Sequence, residues 1–223
     1  MISVVIPTLN AAATLQQAMA PLVRAAMDGL VREVVVADGG SSDDTLALAE
    51  DAGAVIVATE AGRGVQLEAG CRVARSDWLL ILHADTELEP AWMAAASAHI
   101  ARHRRDAGYF RFALDDRGLK AQLWEQGVAA RCAALGLPYG DQGLLISRRL
   151  YDEVGGYRPL PLMEDVDLVR RLRGKLRPLP ARAITSAERY REGGYVARSA
   201  RNAVILARYF AGADPERLAK AYA

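Results

Sequence analysis

Two acidic side chains each follow an apolar segment that the sequence marks as a buried strand. Residues 78–82 are apolar and are followed by His83, Ala84 and Asp85, and residues 34–37 are followed by Asp38. An unpaired carboxylate is costly to bury, so both acids are expected at strand ends, where water, a metal ion or a ligand can reach them. Open α/β sheets bind ligands at the carboxyl ends of their strands. The pattern therefore predicts a binding site that contains both acids.

A third acidic group, Glu164-Asp165, opens a segment with the pattern of a helix at about residues 164–172. Acidic residues in a first helical turn are favoured by the helix dipole, so a purely structural role is one interpretation. The other interpretation is chemical, because a carboxylate within hydrogen-bond reach of a hydroxyl can act as a general base. The preceding loop, residues 159–163, would deliver the start of the helix to a cleft.

The elements that must position these acids alternate between strand and helix in the first half of the chain. We predict strands at residues 2–7, 33–38, 54–58 and 78–82, and helices at about 11–27, 43–52 and 62–75, with a fourth helix that has Pro90 in its first turn. Asn10 is expected to cap the first helix. Strands that alternate with helices of this size predict a mostly parallel sheet with right-handed crossovers.

The second half of the chain has a less regular order of elements. We predict strands at residues 108–114, 143–147 and 177–184, and helices at 120–135, 164–172, 196–210 and 215–222. This half is therefore expected to be a mixed α+β region that completes the sheet of the first half. No linker is visible, so we expect residues 1–223 to form a single domain.

Composition narrows the class of protein and of partner. The chain has 223 residues and a net charge of +1, so no global field favours nucleic acid as a partner. Cys71 and Cys132 lie far apart and form neither a disulfide framework nor a zinc motif. The first residues lack the pattern of a signal peptide, and no apolar run approaches the ~18 residues of a membrane-spanning helix. We therefore expect a cytoplasmic protein.

Four segments together resemble the family-two glycosyltransferases, which have the GT-A nucleotide-diphospho-sugar transferase fold. In chain order they are SVVIPTLN at 3–10, VVADGGSSDDT at 35–45, LHAD at 82–85 and MEDVDL at 163–168. The resemblance covers residues 1 to about 175. The tail from residue 185 onwards further resembles a short bacterial subgroup whose genes are associated with radical-SAM or selenium-related proteins. The resemblance implies inverting transfer of a sugar from a nucleotide-sugar donor, UDP-linked by family preference, to an unknown hydroxyl acceptor.

The resemblance also implies a division of the chain and a role for each matched residue. Residues 1–105 would be the nucleotide-binding half, 106–190 the acceptor and catalytic half, and 191–223 the C-terminal helices. Asp165 matches the catalytic base, and Asp85 matches the acid that reaches the diphosphate through a divalent cation, Mn²⁺ or Mg²⁺. Nucleotide contacts are implied for Thr8, Asn10, Asp38, Arg63 and His83. Contacts on the acceptor and diphosphate side are implied for Asp141, Gln142 and Glu164.

Several of these residues also have a simpler interpretation. Asp38 could stabilise the turn at Gly39-Gly40, and Arg63 could be a solvated residue at the start of a helix. His83 stands where the family usually has the first acid of Asp-x-Asp. It could support the metal or bond the ribose, although a lone histidine near a core strand more often has a packing and hydrogen-bonding role.

Two other functions stay open. A nucleotidyltransferase can use a similar sheet, but such enzymes carry a glycine-rich basic loop near the N-terminus, and residues 8–12 contain neither glycine nor a basic residue. The second is a module that binds the nucleotide sugar without turnover, which the histidine at position 83 would suit. A dehydrogenase is less well supported, because no Gly-x-Gly-x-x-Gly turn follows the first strand.

The predicted helix at 196–210 combines an apolar stripe with basic residues. Its polar positions include Arg198, Arg201 and Arg208. Packing on the core or contact with a second copy in a homodimer is the commoner role of such a helix. Peripheral contact with anionic lipid at the inner face of a membrane is the alternative.

Overall fold

The computed structural model describes residues 1–188 and 195–222, and within them eight strands form one sheet. The strands are β1 (Ile2–Thr8), β2 (Val31–Asp38), β3 (Val55–Ala58), β4 (Trp78–Ile81), β5 (Thr86–Leu88), β6 (Ala107–Leu114), β7 (Leu144–Ser147) and β8 (Leu176–Thr185). Their order across the sheet is β3-β2-β1-β4-β7-β6-β8-β5. The sheet therefore joins the two halves of the chain at two contacts, β4 with β7 and β8 with β5.

The helices lie on both faces of this sheet. They are α1 (Ala12–Met27), α2 (Thr45–Asp51), α3 (Arg63–Val73), α4 (Trp92–Arg102), α5 (Leu119–Leu135), α6 (Arg148–Glu153), α7 (Glu164–Arg171), α8 (Tyr195–Phe210) and α9 (Pro215–Tyr222). A short 3-10 turn covers Gly140–Gln142. The element boundaries agree with the sequence predictions to within a few residues, except that β5 and α6 were not predicted.

The first half of the sheet is parallel, as predicted. Strands β3, β2, β1 and β4 all pair in parallel, whereas β7 is antiparallel to both β4 and β6. Strand β8 returns to parallel pairing with β6, and β5 is antiparallel to β8. Because parallel strands are covered on both faces, their sequences are apolar at nearly every position. The predicted mixed α/β class is confirmed.

Alternate residues of the central strands point into two separate cores. Val4 and Leu80 belong to the core that α1 and α4 cover, and Val5 and Leu79 belong to the core on the opposite face, under α3. Helix α3 approaches the sheet closely at Gly70, where an added Cβ would lie 2.6 Å from Cγ1 of Val5. Glycine at this position lets α3 pack closely on β1 and β2.

Helix α8 packs on the second half of the fold. Its Leu206 and Tyr209 contact a small buried cluster that contains Leu137, Val166 and Val169. Two of those residues belong to α7, so α8 covers the helix that begins with Glu164. Among the helices of residues 1–188 and 195–222, none combines the length and the apolar composition that a membrane-spanning helix needs.

Candidate active site

The carboxylate of Asp38 lies at the carboxyl end of β2 and is almost fully buried. Its Oδ1 accepts hydrogen bonds from Oγ1 of Thr8 at 2.8 Å and Oγ of Ser41 at 2.5 Å. Its Oδ2 accepts from the backbone N–H groups of Gly40 at 2.9 Å and Ser41 at 2.8 Å. Burial would raise the pKa of Asp38, but the bonds from Ser41, Thr8 and Gly40 outweigh it and lower the pKa. In this conformation the ionised carboxylate organises the turn after β2.

A buried glutamine ties the ends of β1 and β2 together. Nε2 of Gln66, in α3, donates to the carbonyl oxygens of Thr8 at 2.6 Å and Ala37 at 3.0 Å. Gly39 leaves just enough room, because a Cβ there would lie 3.1 Å from the same nitrogen. Sequence reasoning did not single out Gln66. The available signal was a polar residue among small and apolar residues in the middle of a predicted helix.

Asn10 braces the loop after β1 against the loop after β2. Its Oδ1 accepts from the backbone N–H of Ser42 at 2.9 Å, and its own N–H donates to Oγ of Ser41 at 2.8 Å. The prediction that Asn10 caps the first helix is wrong, because α1 begins at Ala12 and the N–H of Ala12 donates to Oδ2 of Asp43 at 3.0 Å. Asn10 instead adopts a left-handed φ of 51°, a conformation open to asparagine.

The second group of candidate residues gathers where β4 ends. Nε2 of His83 lies 3.8 Å from Oδ2 of Asp165, a distance that is too long for a hydrogen bond. Gly140 fits between them, since an added Cβ would overlap with both of these atoms. The structure therefore brings together three residues that are distant in sequence.

Asp165 is held by a hydrogen bond that the sequence did not predict. The hydroxyl of Tyr157 donates to its Oδ1 at 3.2 Å. Burial would raise the pKa of Asp165, but the neighbouring His83 and Arg63 and the bond from Tyr157 outweigh burial and lower the pKa. The residue before the pair, Met163, has a left-handed φ of 67°. Such strain in a residue other than glycine is often found at functional sites.

The pKa of the adjacent carboxyl, that of Glu164, is shifted in the opposite direction. Glu164 is buried, and burial together with the charge of Asp165 raises its pKa to about 7, although Arg63 opposes the rise. Nη1 of Arg63 lies 3.4 Å from Oε1 of Glu164, and the arginine side chain is 47% exposed. Two neighbouring carboxyls with pKa values moved apart are typical of an acid and base assignment, and here Asp165 is the one that stays ionised.

Asp141 and Gln142 both belong to the 3-10 turn, but their side chains have different surroundings. Oδ1 of Asp141 is buried and has no hydrogen-bond partner among the described residues, and burial raises the pKa of this carboxyl, opposed by His83 and Arg131. Gln142 is turned into the fold: its Nε2 donates to the carbonyl of Phe110 at 3.1 Å. Its Oε1 accepts from Nη2 of Arg131 and from the backbone N–H of Tyr139, both at 3.3 Å. In this conformation Gln142 supports the turn, and its contact with a substrate stays a prediction.

The residues around Asp85 fit a divalent cation that is held in part by its substrate. Among residues 1–188 and 195–222, no three His, Cys, Asp or Glu side chains converge as a complete ligand set. Mg²⁺ and Mn²⁺ commonly use one or two carboxylates plus substrate phosphates. Asp85 is close enough to Asp141 to raise its pKa. Oδ1 of Asp141 and Nε2 of His83 are both buried and have no hydrogen-bond partner in the described part of the chain. The donor set therefore suits a cation whose remaining ligands come from a diphosphate.

Comparison with known families identifies the family of the chain. The model of the family described as Glycosyl transferase family 2 matches residues 3–138. Curated relatives include the PGL/p-HBAD biosynthesis glycosyltransferases of Mycobacterium tuberculosis and Mycobacterium bovis, which are 35% identical over 111 residues. That alignment covers 46% of this chain and 43% of the relatives, so the chain matches them over less than half of their length.

Solved structures share the fold at low sequence identity. S. aureus TarS 1-349 in complex with UDP-GlcNAc superposes with a TM-score of 0.62 at 16% identity, over 83% of this chain and 58% of that one. The second is glucosyl-3-phosphoglycerate synthase from Mycobacterium tuberculosis in complex with Mn²⁺, UDP and phosphoglyceric acid. Its TM-score is 0.57 at 22% identity, over 80% of this chain and 67% of that one. The predicted GT-A fold is thereby confirmed.

Proposed function

Because the chain belongs to glycosyl transferase family 2, we propose that it transfers a sugar from a nucleotide-diphospho-sugar to a hydroxyl acceptor. We further propose that the nucleotide is uridine diphosphate and that the transfer inverts the anomeric carbon. One observation carries the proposal: Asp165, the ionised member of a buried carboxyl pair, faces the His83-Ala84-Asp85 segment at the end of β4. A base and a diphosphate-binding segment are the two parts that such a transfer requires.

Asp165 is proposed as the general base. Its lowered pKa keeps it ionised at neutral pH, so it can accept the proton of the acceptor hydroxyl as the hydroxyl oxygen attacks the anomeric carbon. Glu164 is the poorer candidate, because its carboxyl is paired with Arg63. Attack on the face opposite the leaving diphosphate gives the inverted product.

Asp85 is proposed to hold the diphosphate through Mn²⁺ or Mg²⁺, with His83 and Asp141 beside it. When bound, the cation offsets the negative charge that develops on the leaving diphosphate. Arg63 is half exposed next to Glu164, which supports a second, direct contact with the diphosphate. Because Arg63 is already paired, that contact would be made by the part of its guanidinium that faces solvent.

The nucleotide itself is proposed to bind over the loops after β1 and β2, beside Thr8, Asn10 and Asp38. Each oxygen of Asp38 already accepts two hydrogen bonds. A contact with the base or ribose would therefore replace one of these bonds. The hydroxyl of Ser41 is the donor that can rotate away most easily, since the others are backbone groups or belong to the buried Thr8.

The test is release of UDP from UDP-glucose and UDP-GlcNAc in the presence of Mn²⁺ or Mg²⁺. Asp165→Asn should lower kcat by about 10²–10⁴-fold, as expected for loss of a general base, and Asp85→Ala should weaken use of the cation. Asp51→Asn, at the exposed end of α2, is the matched control and should keep full activity. Full activity in both site variants would refute the assignment. In a separate assay with UTP and glucose 1-phosphate, release of pyrophosphate would instead indicate a nucleotidyltransferase.

Further proposals concern the surroundings of the molecule. We propose that the chain forms one domain and is cytoplasmic. We also propose that it belongs to the short bacterial subgroup associated with radical-SAM and selenium-related genes. Part of the tail that suggests this subgroup, residues 189–194, lies outside the described residues. Val204 and Phe210 of α8 are 57% and 45% exposed beside Arg208. These residues suit peripheral contact with anionic lipid or with a second copy of the chain, which sedimentation with anionic vesicles and measurement of the mass in solution would distinguish.

A further inference from the structure

Tyr157 connects the proposed base to the body of the fold. Its hydroxyl donates to Oδ1 of Asp165 at 3.2 Å, and the residue is only 5% exposed. Its backbone N–H donates to the hydroxyl of Tyr151 at 2.9 Å. Tyr157 is therefore fixed at two points, by Tyr151 in α6 and by Asp165 in α7.

The turn before Tyr157 contains two glycines that place this residue beside Asp165. Gly155 and Gly156 follow α6 with left-handed φ values of 80° and 59°. A Cβ at Gly156 would also lie 2.8 Å from Cε1 of Tyr151. Glycine is the residue that meets both requirements without strain. The two glycines thus let the chain reverse at once and bring Tyr157 within hydrogen-bond distance of Asp165.

The two oxygens of Asp165 have different surroundings. Oδ1 accepts from Tyr157, whereas Oδ2 lies 3.8 Å from Nε2 of His83 and borders Gly140. Within the part of the chain that the structure describes, Oδ2 receives no hydrogen bond of normal length. The bond from Tyr157 therefore selects which oxygen faces the segment that ends β4.

We propose that Tyr157 is a positioning residue that fixes the orientation of Asp165, so that Oδ2 is the oxygen that takes the proton. The inference rests on the proposed function, in which Asp165 is the base. In that step the proton of the acceptor hydroxyl passes to Oδ2, and the acceptor oxygen forms a bond to the anomeric carbon. The bond between that carbon and the diphosphate oxygen breaks, and its electron pair leaves with the diphosphate.

The chemistry of the donor supports this role. A phenol hydroxyl is a neutral donor and holds a carboxylate without giving up its own proton, because burial and the charge of Asp165 place the pKa of Tyr157 well above its usual value. A tyrosine that only filled the core would need some partner for its hydroxyl, but that partner would not have to be the carboxylate of Asp165.

The test is Tyr157→Phe, which removes the hydroxyl and keeps the ring. We expect kcat for release of UDP from UDP-glucose with Mn²⁺ to fall about tenfold, the loss typical of one hydrogen bond to a charged group, while KM for UDP-glucose stays within about twofold. Tyr109→Phe is the matched control, because Tyr109 is also buried but belongs to the cluster under α5. It should leave both constants unchanged. Wild-type kcat in Tyr157→Phe would overturn the proposal.

A double-mutant cycle separates this proposal from the proposed function. If Tyr157 acts through Asp165, Tyr157→Phe should cost nothing further in an Asp165→Asn background, and an additional tenfold loss there would overturn the proposal. Full activity of Asp165→Asn alone would instead refute the choice of base. A crystal structure of Tyr157→Phe gives a readout that needs no turnover. The carboxylate of Asp165 should rotate or become disordered, and an unchanged single orientation would contradict the positioning role.

Discussion

Gly140 sets the spacing of the candidate active site, because it separates His83 from Asp165. Gly140→Ala would place a methyl group on Nε2 of His83 and Oδ2 of Asp165. Both side chains would have to move, and displacement of a catalytic group by ~1 Å can cost ~100-fold in rate. We expect UDP release to fall by at least about tenfold, with a smaller effect on thermal stability, measured by steady-state kinetics and thermal unfolding.

The matched control for that variant is Gly127→Ala. Gly127 lies inside α5, and an added Cβ meets nothing within 4 Å. Alanine is favoured over glycine inside a helix by about 0.5–1 kcal/mol, so this variant should be slightly stabilised and fully active. Full activity of Gly140→Ala as well would show that the site tolerates a wider separation of His83 and Asp165.

The raised pKa of Glu164 makes the free energy of unfolding depend on pH. Its pKa is raised from 4.5 to about 7 by burial and by Asp165, so the folded state holds a proton that the unfolded chain releases at lower pH. The resulting stabilisation is complete below the unfolded pKa and is lost as pH rises towards 7. Glu164→Gln cannot ionise, so its Tm relative to wild type should rise between pH 5 and pH 8. A Tm difference that is constant over this range would contradict the raised pKa.

Among the elements, helix α8 stabilises the position of α7 by packing on it. Leu206→Ala would remove a half-buried side chain from the cluster with Val166 and Val169. We expect a loss of about 1–2 kcal/mol and a fall in UDP release, because the same helix α7 begins with Glu164 and Asp165. Val204→Ala, on the exposed side of α8, should do neither. Thermal unfolding and kinetics on both variants provide the check, and equal effects would argue against this packing role.

The elements that the sequence did not predict are short and depend on contacts made elsewhere. Strand β5 has three residues and exists because it pairs with β8. Helix α6 has six residues, although its start carried a signal: Oγ of Ser147 accepts from the N–H of Leu150 at 3.2 Å. Tyr157 could not be found from sequence either, because its partner lies in a different element and two glycines merely indicate a turn.

At the scale of the whole molecule, the sequence predicts those elements in which nearly every residue is buried. Parallel strands covered on both faces give continuous apolar runs, so β1 to β4 and the acids at their ends could be located in advance. The order of β6, β7 and β8 could not, because an antiparallel insertion leaves no mark on the sequence of its neighbours. The meeting of His83, Gly140 and Asp165 joins three distant segments, which composition and periodicity do not encode.

The short connection between β4 and β5 has a mechanical consequence. Three strands lie between these two in the sheet, so a flat sheet would separate them by ~19 Å at normal strand spacing. The five steps from Ile81 to Thr86 span at most ~17–18 Å when fully extended, and a turn bond from the N–H of Thr86 to the carbonyl of His83 shortens them further. The sheet must therefore curl until β5 returns towards α1, where Gln17 bonds Glu87 at 2.8 Å. The length of the His83-Ala84-Asp85 connection thus limits how far β5 can lie from β4. One inserted residue would allow the sheet to flatten and would also change the distance between His83 and Asp165.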